Sequence, residues 1–146
     1  MATFRGSYQH SIDHKGRISI PARFRKALSG RASATFVIVR GLETCVAIYP
    51  QDEWKSMEER LRSRSFYDET NRRFLRTMTM DSDDATLDAQ GRVAIPPRLL
   101  AHARLTKEVM VNGVIDHLEI WDPAQFEQYL KSSSRSYEDM AGELLL

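Results

Sequence analysis

The eleven residues DHKGRISIPAR, starting at Asp13, return seventy-five positions later as DAQGRVAIPPR, starting at Asp88. Six positions are identical: Asp13/Asp88, Gly16/Gly91, Arg17/Arg92, Ile20/Ile95, Pro21/Pro96 and Arg23/Arg98. A repeat of this kind constrains the fold more than any single motif, because two units too small to bury their own apolar faces are built to share one core. The likeness continues downstream, where FVIVRGLETCVAIYPQDEW from Phe36 aligns with EVMVNGVIDHLEIWDPAQF from Glu108 at an offset of 72. The alignment sets Gly41 against Gly113, Ile48 against Ile120 and Trp54 against Phe126, and assigns a loss of three residues to one loop of the second copy.

Each copy reads as strand, turn, strand, short helix, strand, strand. Alternating residues in YQHSID and RISI flank DHKG, where Asp13 suits the first turn position and Gly16 can take positive φ and permit a bulge. Pro21 stands where a missing amide is harmless at a helix start, and Ile20, Phe24 and Leu28 follow at helical spacing until Ser29 and Gly30. TFVIVRG and TCVAIYP then read as two strands, and ATLD, RVAI, PPRLLAHA, EVMVNG and HLEIW repeat the order. Asp52 is expected to cap EWKSMEERL, and Asp122 with Pro123 and Gln125 to cap AQFEQYL. DETNRRFLRTM reads as a further helix with Phe74, Leu75 and Met78 inward and Arg72, Arg73 and Arg76 outward. YEDMAGELLL after the polar stretch from Ser132 to Ser136 is left open between a docked last turn and a loose tail. So few strands per half cannot cover both faces of a sheet, and two halves pairing into one small barrel resolve that. The expected organisation is repeat 1 over 7–54, a helical connector over 55–82, repeat 2 over 83–126, and a C-terminal helix and tail over 127–146.

The net charge of +1 hides an asymmetry. Residues 1–40 hold eight basic groups against Asp13 alone, a net of +7, while the remainder carries −6. A basic end on an acidic body can present a focused positive face. No window of eighteen apolar residues exists and the N-terminus lacks an apolar stretch of leader length, so the expected location is cytoplasmic. The single cysteine, Cys45, cannot form an intrachain disulfide.

Asp13 and Gly16, like Asp88 and Gly91, are explained by turn geometry alone. Arg17 and Arg92 are not, because neither a turn nor a core requires a guanidinium directly after it. The planar fork suits bidentate bonding to phosphate or a guanine edge, so arginines repeated at hairpin tips point to DNA. A structural alternative is an ion pair from Arg17 to Asp13, which would also hold the arginine in place. DHKGRISIPARFRKAL resembles the DNA-binding hairpin and helix of the SpoVT/AbrB superfamily. With FRGSYQHSIDHKGR, NRRFLRTM and LTKEVMVNGVIDHLEIWD, the chain resembles the MraZ family over nearly its whole length.

The resemblance implies an α+β fold, a tandem-repeat swapped-hairpin AbrB-like β-barrel flanked by short helices. It also implies a homo-oligomeric ring that binds direct repeats in double-stranded promoter DNA, is nucleoid-associated, and represses its own division and cell-wall gene cluster. Carried over by position, the motif falls on Asp13 with Arg17 and on Asp88 with Arg92, and the basic pair after the proline falls on Arg25 and Lys26. Leu100 and Ala101 occupy the latter positions in the second copy. Arg5, Lys15, Arg23, Arg25 and Lys26 are expected to meet phosphates.

An enzyme is the first rival. His10 and His14 have metal-binding spacing only on a helix, whereas here they flank a strand and turn, and His102 and His117 are isolated. No phosphate loop or nucleophile elbow occurs, so no catalytic residue, metal or cofactor is assigned, and no membrane or small-molecule partner is expected. The second rival is a protein-binding, antitoxin-like module of the same fold.

Overall fold

Each repeat hands its first strand to the other. A computed structural model describes residues 3–27 and 35–145; Leu28, Ser29, Gly30 and Arg31 lie outside that set. The first half supplies β1 (Phe4–Ser11), β2 (Arg17–Ser19), α1 (Ala22–Ala27), β3 (Thr35–Arg40), β4 (Cys45–Pro50), α2 (Gln51–Arg62) and α3 (Glu69–Met80). The second supplies β5 (Asp83–Thr86), β6 (Arg92–Ala94), α4 (Pro97–His102), β7 (Glu108–Ile115), β8 (His117–Trp121), α5 (Pro123–Lys131) and α6 (Tyr137–Leu145). The architecture is α+β. An antiparallel six-stranded sheet runs β1-β7-β8-β4-β3-β5, and β2 pairs with β6 in a separate ribbon.

The strand order is symmetric about the β8/β4 pair. β1 of the first repeat pairs with β7 of the second, and β5 of the second pairs with β3 of the first. The two motif segments interlock likewise: Arg17 faces Ala94, Ile18 faces Val93 and Ser19 faces Arg92. The expected local pairing of YQHSID with RISI is therefore reduced to a single bridge between Ile12 and Ile18. The strands run on into the other repeat because that is where apolar surface remains to be covered.

The core records the same exchange. Ile18 and Val93, Ile20 and Ile95, and Phe24 and Leu99 occupy equivalent places in the two copies, and all six are buried in one cluster with Phe4, Phe36, Ile38, Ile48, Val111 and Leu118. Phe24 meets the rings of Phe4 and Tyr8 edge-on at 5.6 and 5.4 Å, an arrangement favoured by the aromatic quadrupole. A second pairing obeys the offset of 72: Tyr49 packs on Trp54 at 5.5 Å and Trp121 on Phe126 at 5.1 Å, fastening α2 and α5 to the strands before them.

The register corrects the alignment. Ile38 faces Ile48 and Val111 faces Ile120, so β3 and β7 are related by an offset of 73 while β4 and β8 keep 72. Two residues are lost before β7 and one in the β7–β8 turn, not three from one loop. Gly41 and Gly113 are consequently not equivalent. Gly113 lies inside β7 opposite Gly6, where an added Cβ would come within 2.5 Å of the Arg5 backbone nitrogen.

Helix starts divide similarly. Asp68 accepts from the amides of Thr70 and Asn71, and Asp122 from that of Gln125, as N-caps do. Asp52 does not cap α2: the helix begins at Gln51 with Pro50 as N-cap, which places Asp52 in its first turn. α3 forms as expected, but Phe74 is 46% exposed and Arg72 turns back to the carbonyls of Phe66 and Tyr67. Of YEDMAGELLL, Tyr137–Leu145 folds as α6 and buries no residue fully. Among the described residues no helix is long and apolar enough to cross a membrane.

Candidate nucleic-acid interface

Asp-x-x-Gly-Arg builds the same turn twice. The Gly16 amide donates to the Asp13 carbonyl and the Asp13 amide to the Arg17 carbonyl, both at 3.0 Å; Gly91, Asp88 and Arg92 repeat this at 3.0 and 2.9 Å. The glycine closes a type I turn with a bulge and must take positive φ, and Gly16 and Gly91 have φ of 75° and 77°. The carboxylates complete the turns. Asp13 Oδ1 accepts from the amides of Lys15 and Arg17, and Asp88 Oδ1 from those of Gln90 and Arg92. The second carboxylate oxygen takes the arginine Nε, at 2.6 Å for Arg17 and 2.9 Å for Arg92. The Arg17 amide, and then its side chain, holds the Asp13 carboxyl down to about 2 against partial desolvation. The Asp88 carboxyl is lowered for the same reasons by Arg92.

Interlocking brings the two turns together. Arg92 Nη1 lies 3.6 Å from Asp13 Oδ2, so one carboxylate of the first turn touches arginines of both. Each turn is also backed by the other repeat. The Ile20 amide donates to the Gly91 carbonyl and the Ile95 amide to that of Gly16. Leu100 packs over Gly16 and Arg25 over Gly91, at equivalent positions of the two short helices. The first tip is thus backed by an aliphatic side chain and the second by a guanidinium. Arg17 and Arg92 remain about a quarter exposed, at 27% and 26% of their side-chain surface.

The basic residues named from sequence fall into two groups. Lys15, Arg17, Arg25 and Arg92 gather at the tips. Arg5 and Arg23 lie apart, at the start of β1: Arg23 Nη1 is 3.4 Å from the Tyr8 hydroxyl and adjoins Gly6. β1 separates Arg5 from Ser11 by roughly 20 Å of strand. Lys26 ends α1. The roles of the Gly16 and Gly91 carbonyls, and the place of Leu100 over the opposite turn, have no local sequence signal, because their partners come from the other repeat.

Two of the four histidines have partners of their own. His102 Nε2 lies 3.0 Å from the Glu43 carbonyl, and His117 sits between Asp116 and Glu119 while stacking on Tyr49 at 4.7 Å. Burial disfavours the charged His117 ring, but hydrogen bonds to Glu119 and Asp116 outweigh it and raise the pKa. Among the described residues no group of three His, Cys, Asp or Glu could hold a metal ion.

The chain matches the model of a family described as "MraZ protein, putative antitoxin-like" twice in tandem, over residues 3–77 and 78–146. Among its relatives, proteins named Transcriptional regulator MraZ from Alkaliphilus metalliredigens and Moorella thermoacetica are 41% and 42% identical to it. Each of these alignments covers 97% of this chain and 96% of the relative. A third of the same name, from Pediococcus pentosaceus, is 38% identical over the same shares. With the duplicated turn, the exchanged strands and full-length likeness in view, the chain belongs to the MraZ family.

Proposed function

We propose that the protein is a transcriptional regulator that binds double-stranded promoter DNA sequence-specifically through the paired turns. In this reading it acts as a homo-oligomeric ring on direct repeats and represses its own division and cell-wall gene cluster. One arrangement supports the reading above the rest: Arg17 and Arg92 are brought onto a common carboxylate, each held by its Nε edge, with Lys15 and Arg25 beside them. Anchoring the Nε edge fixes the guanidinium plane before contact, so less side-chain freedom is lost on binding. The terminal nitrogens then serve as a fork for guanine O6 and N7 or for phosphate. Arg5, Lys15, Arg23, Arg25 and Lys26 carry the phosphate contacts, which position the duplex without reading it. The two repeats, 7–54 and 83–126, form the DNA-facing unit, and the segments 55–82 and 127–146 serve self-association.

A gel-shift titration with the DNA upstream of the gene tests this. Probes carrying one repeat and the natural array are compared at fixed salt, with scrambled DNA as control. The expected outcome is a shift of the natural array at far lower protein concentration than a single repeat, because a second contact within one assembly is made at high effective concentration. Equal affinity for promoter and scrambled DNA would defeat sequence-specific recognition. The second reading is an antitoxin-like, protein-binding module, favoured by the wording of the family description; it predicts no shift of any probe.

A further inference from the structure

We infer that Gln90, at the tip of the second turn, is a specificity-determining residue that reads an adenine in the major groove. The inference rests on the DNA-binding reading proposed above and deepens it by giving the two turns different tasks.

Gln90 and Lys15 occupy the same place in the same turn. Each donates its backbone amide to Oδ1 of its turn's aspartate at 2.9 Å, and each stands exposed two positions before the arginine. Equal backbone bonds start the two side chains in equal directions. Where the first turn presents an ammonium, the second therefore presents a carboxamide.

Charge at the two turns is balanced without Gln90. The first turn has Lys15 beside Arg17 and is backed by Leu100, whereas the second has Arg92 with Arg25 packed over Gly91. Each turn thus carries two cations, which supply sequence-independent attraction to phosphate. A neutral amide adds nothing to that attraction. Its chemistry is directional, because the carbonyl oxygen accepts while the adjoining NH2 donates, and this pair matches N6 and N7 on the major-groove edge of adenine. Among the exposed tip residues His14, Lys15, Ala89 and Gln90, only Gln90 offers donor and acceptor side by side.

The frame gives the reading a direction. β2 and β6 are antiparallel, so the two turns enter their ribbon at opposite ends, while Arg17 and Arg92 both reach the Asp13 carboxylate. A two-stranded ribbon fits the major groove. Lys15 then meets the duplex at one end of the ribbon and Gln90 at the other, so a nearly two-fold backbone reads a site that is not two-fold. Turning the site around would set Lys15 where Gln90 belongs, and each repeat is bound in one orientation.

The test uses competition gel shifts of the full-length protein on the natural repeat array from upstream of the gene, with one base-pair position at a time changed in every repeat. Wild type, Gln90→Ala and Gln90→Glu are compared. The turn bond at Gln90 is made by its backbone amide, so both variants keep the fold. Wild type is expected to lose affinity when one particular A·T pair is changed, by roughly 5- to 150-fold per contact. Gln90→Ala should lose that preference alone and keep the wild-type salt slope, since no phosphate contact is removed. Gln90→Glu should move the preference at that position to cytosine, whose N4 amino group donates to a carboxylate. A Gln90→Ala profile equal to wild type at every position, or a loss spread evenly over all arrays, overturns the inference. Wild type that discriminates while Gln90→Ala leaves the profile unchanged fells this inference alone; wild type that binds scrambled DNA as tightly as the array fells the DNA-reading proposal with it.

Discussion

Arg17 and Arg92 have nearly identical local bonds, yet their surroundings differ, and that difference carries the first prediction. Arg17→Ala leaves the turn intact, because Asp13 still holds the amides of residues 15 and 17. It is expected to keep the fold and the assembly while abolishing promoter binding. Arg92→Ala is expected to have a smaller, measurable effect, since Arg25 stands over the second turn and leaves a guanidinium there, whereas only Leu100 backs the first. Gel shifts of both variants on single-repeat and multi-repeat probes check this, and full-strength binding by folded Arg17→Ala would refute the assignment. Alanine at Lys15 or Arg25 should instead weaken binding to all sequences and lower the salt slope by roughly one. The carboxylates carry a pH signature. Asp13 is held at about 2, below its ordinary 3.8, so its stabilisation is present above about pH 4 and is lost as pH falls towards 2. Asp13→Asn should therefore be less stable near neutrality and show a shallower loss of stability between pH 4 and 2. Circular dichroism across that range measures it, and an unchanged acid transition would mean that the turn bonds add no net stability.

Among the elements, β1 shows how closely a strand can be tied to one residue type. Gly113 faces Gly6 in the β1–β7 pair, and a Cβ there would meet backbone atoms of Phe4 and Arg5, which cannot swing aside as a side chain can. Gly113→Ala is expected to cost about 1–3 kcal/mol through strand displacement, read as a lower urea midpoint together with faster amide exchange along β1. Wild-type stability in this variant would mean that β1 lies farther from β7 than the register indicates. The β7–β8 turn works under strain instead. Ile115 has φ of 64°, and the Asp116 amide reaches back to the Val114 carbonyl at 2.8 Å, which is a γ-turn on a β-branched residue. That tight reversal is where the second copy saves its single residue relative to the β3–β4 loop.

At the scale of the molecule, neither half is a folding unit. β1 without β7, β5 without β3, and β2 without β6 would each expose unpaired backbone and half a core. Residues 1–81 and 82–146 expressed separately are expected to give collapsed, poorly dispersed amide spectra, and equimolar mixing to restore the native spectrum. A folded monomer of either half alone would contradict the exchanged topology. Much of this protein is legible in its residues alone: two copies, the order of elements in each, the Asp-capped turns with positive-φ glycines, and the cap at Asp122. These are local, because a turn or a cap is decided by residues within five positions of one another. Tertiary structure decided the rest. That YQHSID leaves RISI for the far repeat, that Arg25 covers Gly91 while Leu100 covers Gly16, and that Asp13 touches Arg92 all depend on contacts some seventy to one hundred residues apart. Helical spacing sets Phe74 on one face with Leu75 and Met78, yet Phe74 stands 46% exposed, because spacing shows only which residues share a face. Only packing shows whether another surface is there to cover it.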